Sequence, residues 1–165
     1  MPSLPPGMFC PGGSVGTLFA LQLARHRHQP DIAQRGSNGD RLTIYVSASG
    51  HYAATKSAAL LGFGSGQVTK VATDHEGRID PTALSAAVET ARRQGAVPLA
   101  DIGTAGTAVT SAFDDLHAIA DLCKAHGMWF HVDGCYGGSA LFPAARLTDS
   151  QASSDLTPSC GTSTR

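Results

Sequence analysis

Two kinds of hydrophobic pattern alternate along the chain. Short runs rich in β-branched, aliphatic and aromatic residues have the length and composition of strands: LTIYVSAS (42–49), QVTKVAT (67–73), VPLADIG (97–103) and MWFHV (128–132). Between them lie longer stretches whose apolar residues recur at helical spacing. SVGTLFALQLARHRH predicts a helix capped by Ser14, with Val15, Leu18 and Phe19 on one face. A polar loop, QPDIAQRGSNGDR, follows it. YAATKSAALLGFG predicts a helix stopped at Gly62 or Gly64. The next helix is marked at both ends: Asp80 as cap, Pro81 in the first turn, Leu84, Ala87, Val88 and Ala91 on one face, and Gly95 as the stop. SAFDDLHAIADLCKAHG predicts another, with Phe113, Leu116, Ile119, Ala120 and Cys123 on a shared face.

Strand and helix in alternation predict βαβ units, hence an α/β fold with a mainly parallel sheet flanked by helices. The stretch MWFHVDGCYGG (128–138) is the most telling part of that pattern. Its apolar run is nearly continuous, which predicts a strand buried on both faces, and it stops on Asp133 before a cluster of small residues. In open parallel sheets ligands bind beyond the carboxyl ends of the strands, where an aspartate meets a bound cationic group.

Length and charge narrow the range. At 165 residues one core is expected, and 12 basic against 13 acidic residues give a formal charge of −1. Such a balance offers no electrostatic basis for binding nucleic acid or an anionic membrane. No apolar run reaches the roughly 20 residues of a membrane span, and the start MPSLPPGMFCPGG has no secretory pattern. A cytoplasmic protein with a small-molecule ligand is expected. Cys10, Cys123, Cys135 and Cys160 make no CxxC pair, so neither a zinc ribbon nor a redox motif is indicated. Residues 147–165 are mostly small and polar without apolar period and are expected to be a disordered tail after a domain over 1–146.

Four turns after or before these elements hold candidate chemistry. In CPGGSVG, Gly13 and Ser14 open a helix whose amides and dipole favour a phosphate, although a glycine turn with a serine cap is also an ordinary helix start. His51 sits between a strand and a helix, as a ligand-facing imidazole or as a cap; Lys56, one turn on, reads as a solvated charge. Thr104 and Thr107 either contact a ligand or stabilise their own turn. Asp133 either faces a ligand or caps the turn after it.

These blocks stand in an order and spacing that resembles one family. GMFCPGGSVGTLFALQLAR, YVSASGHYAATKSAALLGFG, DHEGRIDPTALSAAV and ADIGTAGTAVTSAFDDLHAIADLCKAHGMWFHVDGCYGGSALFP together resemble the pyridoxal-phosphate-dependent amino-acid decarboxylases, in the group of the aromatic amino-acid, glutamate and 2,4-diaminobutyrate enzymes. The resemblance covers about Gly7 to Pro143. It implies part of the large domain of the fold-type I pyridoxal-phosphate transferases, with pyridoxal 5'-phosphate as cofactor, an amino acid as substrate and a homodimer as assembly. It also implies roles: Gly13 and Ser14 beside the cofactor phosphate, His51 stacked on the ring and positioning substrate, Thr104 and Cys135 in contact with the cofactor, and Asp133 paired with the ring nitrogen. His51 and Asp133 are the residues it marks as catalytic.

The chain also departs from the family pattern. Gly134 and Cys135 stand where two alanines are usual, and Val15 and Gly16 where glutamate and alanine are. The histidine–lysine motif that anchors the cofactor has no counterpart, since the lysines here are Lys56, Lys70 and Lys124. These departures imply a fragment that is inactive by itself. The alternative from another class is a non-catalytic remnant that binds a phosphate-bearing ligand or a full-length partner subunit. A metal hydrolase built on His131 and Asp133 with His126 is disfavoured, because a third ligand at suitable spacing is missing and no metal is expected.

Overall fold

The structure, a computed structural model, describes residues 7–140. The boundary expected at 146 and the tail over 147–165 lie outside the described residues. In chain order the elements are α1 (Gly13–His28), α2 (Ile32–Arg35), β1 (Leu42–Ser47), α3 (Ala53–Leu60), β2 (Val68–Val71), α4 (Pro81–Arg93), β3 (Val97–Thr104), α5 (Leu116–His126) and β4 (Trp129–Asp133). The four strands form one parallel sheet in the order β2-β1-β3-β4. The expected α/β class with a parallel sheet is what the chain forms.

Helices cover both faces. Leu21 and Ala24 of α1 and Ala54 and Ala58 of α3 pack on Ile44, Val46, Ala100 and Ile102. On the other face Leu84 and Val88 of α4 and Ile119 and Cys123 of α5 pack on Tyr45 and Val71. β1 is buried throughout because it has a strand on each side and helices above and below. Trp129 joins the α1/α3 side and Phe130 the α4/α5 side. Alternation along the strand therefore puts His131 and Asp133 on the α1/α3 face with Trp129.

The helix with signals at both ends forms as expected. Asp80 accepts the Thr82 amide at 2.8 Å, Pro81 opens α4, and Gly95 takes φ 73° just after it. α5 has the same logic, with Asp115 accepting the Ala118 amide at 3.0 Å and left-handed Gly127 at the end.

Four local expectations fail. Ser14 is not the N-cap of α1: the helix starts one residue earlier, Gly12 is the cap, and Ser14 lies exposed in the first turn. The buried face of α1 is Thr17, Ala20, Leu21 and Ala24 rather than Val15, Leu18 and Phe19, because small residues let the helix sit close to the sheet. The loop after α1 contains the single turn α2, pinned by buried Ile32. β4 is not buried on both faces, since among the described residues it forms the sheet's edge and Val132 is 37% exposed.

One core residue was not signalled by the hydrophobic pattern. Asp101, in the middle of β3 and level with Tyr45 and Phe130, is 0% exposed, and neither carboxyl oxygen has a hydrogen-bond partner among the described residues. Burial, and secondarily the Asp114 charge, push its carboxyl well above the ordinary aspartate range.

Candidate active site at the carboxyl edge of the sheet

α1 runs antiparallel to the strands, so its first turn comes to the edge where β1, β3 and β4 end. The approach is close: a β-carbon on Gly13 would lie 1.9 Å from Cys135 Sγ. A side chain at position 13 would therefore have to displace the Cys135 sulfur from that space. The first turn of α1 carries no acidic residue. Its amides at Gly13 and Ser14 are not used by the backbone bonds that close the turn, Val15 N–H and Gly16 N–H to Gly12 O at 3.1 and 3.2 Å. They and the exposed Ser14 hydroxyl are a set of donors with a positive dipole end behind them.

Asp133 ends β4 opposite Thr104 of β3. Its Oδ1 accepts the Cys135 amide at 3.2 Å, so the turn-capping interaction weighed from sequence exists. The carboxylate remains partly exposed on the α1 face. Burial, followed by the neighbouring Asp133 carboxylate, raises the pKa of the Cys135 thiol, which keeps it a neutral packing group. His131, two residues before Asp133, is held neutral by burial, only partly opposed by the Asp133 charge.

The cluster of small residues after Asp133 has a packing reason. A β-carbon on Gly137 would meet the Ala105 carbonyl oxygen at 2.3 Å and the Phe113 ring at 2.6 Å, and the Gly137 amide donates to that carbonyl at 3.0 Å. The loop after β4 is thereby tied to the loop after β3. This also relocates Phe113, expected on the face of α5: it precedes the helix, is 45% exposed, and lays its ring over Gly106 and Gly137.

His51 follows β1 and is exposed; its Nδ1 accepts the Ala53 amide at 3.2 Å, so it does serve as a local cap, and Nε2 is the ring edge left for a ligand. Thr107 turns out to stabilise its own turn, with Oγ1 accepting the Ala112 amide at 3.1 Å and the Thr110 amide at 3.3 Å. Thr104 is 8% exposed, and its hydroxyl makes no hydrogen bond among the described residues. Sequence reasoning missed Asp114, 7% exposed, whose Oδ2 accepts the Thr104 amide at 2.7 Å. The Asp-Asp pair before α5 signalled a cap at Asp115 but not that its neighbour turns inward.

Gly13, Ser14, Thr104, Asp133 and Cys135 thus share one edge and one face, with His51 on the adjoining turn. His126 belongs to the end of α5, where its Nδ1 lies 3.6 Å from Glu89. Among the described residues no group of three potential metal ligands exists, and no helix is long and apolar enough to cross a membrane.

The donor set fits a phosphate-bearing cofactor with a basic ring nitrogen. Free helix-start amides and a serine hydroxyl suit the phosphate, a carboxylate suits the nitrogen, and the Gly13–Cys135 contact holds the two ends in one crevice. Residues 4–151 match the family described as the pyridoxal-dependent decarboxylase conserved domain. The acidic amino acid decarboxylase GADL1 of Bos taurus is 46% identical over 136 residues, 82% of this chain and 26% of the relative. The cysteine sulfinic acid decarboxylase of Mus musculus is 46% identical over the same length, 28% of the relative. A crystal structure of mouse CSAD superposes with a TM-score of 0.80 at 45% identity, covering 82% of this chain and 29% of that one. A structure of Oryza sativa TDC with PLP gives 0.64 at 28% identity, covering 75% and 27%. The chain spans about a quarter of the length of the curated relatives it matches.

Proposed function

The chain belongs to the pyridoxal-dependent decarboxylase family, and from that premise we propose that its carboxyl edge is the cofactor-facing part of an amino-acid decarboxylase site, holding pyridoxal 5'-phosphate. The observation that carries the proposal is the seating of the α1 start against the loop after Asp133, which joins phosphate donors and a carboxylate in one crevice. Two of the relatives are named an acidic amino acid decarboxylase and a cysteine sulfinic acid decarboxylase, so an amino acid with an acidic side chain is the proposed substrate class of the whole protein, and a homodimer its proposed assembly.

The chemistry the cofactor supplies is an electron sink for the pair left on the α-carbon when carbon dioxide departs. Each residue has a part in serving it. Ser14 and the first amides of α1 bind the phosphate. Asp133 holds the proton on the ring nitrogen through a charge-assisted hydrogen bond. His51 presents its ring and Nε2 to the site, Thr104 adds a hydroxyl beside Asp133, and Cys135 fills the floor between the two anchors.

We further propose that this chain binds the cofactor without turning over substrate. None of its lysines is placed to carry the cofactor: Lys56 Nζ lies 4.4 Å over the Tyr52 ring, Lys70 donates to the Gly50 carbonyl at 3.2 Å, and Lys124 is on α5, across the sheet. This keeps family membership while assigning the chain a binding role.

The test is a titration of pyridoxal phosphate followed by absorbance. Asp133→Asn keeps the cap, since asparagine caps nearly as well, yet loses a charge-assisted bond of about 1.5 to 3 kcal/mol, so affinity falls roughly ten- to a hundredfold. Ser14→Ala weakens binding as well, while Lys56→Ala does not. Equal affinity in all four proteins, or loss with Lys56→Ala only, overturns the assignment.

A further inference from the structure

The backbone of Thr104 is held in an unusual way for the end of a central strand. Ala105 donates to the Asp133 carbonyl at 2.9 Å, so β4 takes that residue's amide, and the amide and carbonyl of Thr104 face the opposite side. There the pairing of β1 with β3 has already stopped, at Val46 and Ile102. Asp114 stands in for the missing strand. Its Oδ2 accepts the Thr104 amide at 2.7 Å, and its own amide donates to the Thr104 carbonyl at 3.0 Å. The other oxygen, Oδ1, accepts the Ile79 amide at 2.7 Å, just ahead of the cap of α4. One buried side chain thus ties the end of β3 to the entry of α4, with both oxygens used in short, charge-assisted bonds.

The consequence falls on the Thr104 hydroxyl. Strand alternation sets it on the α1 face with Ile102 and Ala100, opposite Asp133. Thr104 is a β-branched residue with a stiff χ1, so the direction of its hydroxyl follows the backbone. We propose that Asp114 is a positioning residue: by clamping the backbone of Thr104 it aims the threonine hydroxyl at the cofactor's place beside Asp133. The proposal rests on the reading of this edge as a pyridoxal phosphate site.

The experiment is a double-mutant cycle on the full 165-residue chain, reading pyridoxal phosphate affinity by absorbance and, separately, the thermal midpoint without cofactor. Thr104→Val removes the hydroxyl and keeps the shape; it weakens binding about fivefold, the loss of one neutral hydrogen bond. Asp114→Asn turns an amide group toward an N–H that needs an acceptor, releases the clamp and weakens binding to a similar extent. In the Thr104→Val background Asp114→Asn then changes affinity less than about twofold, because the group it aims is gone. A merely structural Asp114 gives losses that add, and additive losses overturn the proposal. If Thr104→Val and Asp133→Asn both leave affinity unchanged, the cofactor reading falls and the positioning role with it. If they weaken binding and Asp114→Asn does not, positioning alone is overturned. Should Asp114→Asn fail to fold, Asp114→Glu, with both acceptors moved out by one methylene, is read in its place by the same criteria.

Discussion

Cys135 Sγ occupies the space that a side chain on Gly13 would take: the distance from an added β-carbon to the sulfur is 1.9 Å, and to the Cys135 β-carbon 3.2 Å. The two residues come from opposite ends of the described chain and meet only because α1 and β4 bring them to one edge.

Substituting either residue of that pair should expose the coupling. Gly13→Ala forces the sulfur aside and should cost up to about 1 kcal/mol, below the usual penalty for an overfilled core because Cys135 is exposed and its sulfur can turn away. Cys135→Ala removes the sulfur and leaves a tight but tolerable contact, so the double variant should recover most of the loss. Urea unfolding of the four proteins checks this, and additive destabilisation would contradict it.

Asp101 should make the fold prefer acid over alkali within a defined range. Its folded-state pKa is raised above the unfolded one, so the stability it allows is present below about pH 4 and falls as pH rises toward the folded value. Asp101→Val should therefore raise the thermal midpoint at pH 7 and flatten its decline as pH rises above about 4. The gain is about 1–3 kcal/mol, the cost of an unpaired buried polar group. Equal midpoints for the two proteins at every pH would show that the carboxyl is solvated in some way the fold does not reveal.

Turnover is the third point of test. With pyridoxal phosphate and aspartate, glutamate or cysteine sulfinate, the chain should release no more carbon dioxide than free cofactor does, because Lys56 and Lys70 are engaged with Tyr52 and Gly50 and Lys124 is on α5 on the opposite face of the sheet. Trapping labelled carbon dioxide from carboxyl-labelled substrates measures it, and release above the free-cofactor rate refutes the expectation.

The cap of α4 offers a local control. Asp80→Ala should destabilise the chain by about 1 kcal/mol and Asp80→Asn by much less, since asparagine offers the Thr82 amide the same acceptor. Neither should alter cofactor affinity, as α4 lies on the face away from Asp133.

The elements that could be read from the chain are those whose signals are local. α4 carries a cap, a proline and a stop within its own segment, and β1 is too short and too apolar to be anything but a buried strand. Asp133 at a strand end, and Gly13 with Ser14 at a helix start, were legible because the strand-to-helix rhythm sends them to one edge. What could not be read depends on neighbours distant in sequence. The inward face of α1 is chosen by the sheet it lies on, and among the described residues β4 is an edge because of strand order rather than composition. Phe113 goes to two glycines instead of to its helix. Asp114 looks like the residue before a cap, and only the early end of β1 shows why its carboxylate turns inward.

The meeting of α1 with the loop after β4 also sets an order of events. A chain emerging from the ribosome completes α1 long before β4 exists, and the contact between them closes nearly the longest loop the described residues contain. Closing such a loop is the slow and entropically costly kind of step. The sheet's centre, β1 between β2 and β3, is available earlier. The nascent protein thus acquires the centre of its sheet before it joins the α1 start to Asp133, and a ligand arriving during synthesis finds these two anchors apart until β4 has docked. In the finished protein the α1 start and residues 134–138 are mostly exposed or half-buried while β1 is buried throughout, so their amides should exchange with deuterium well ahead of those in β1.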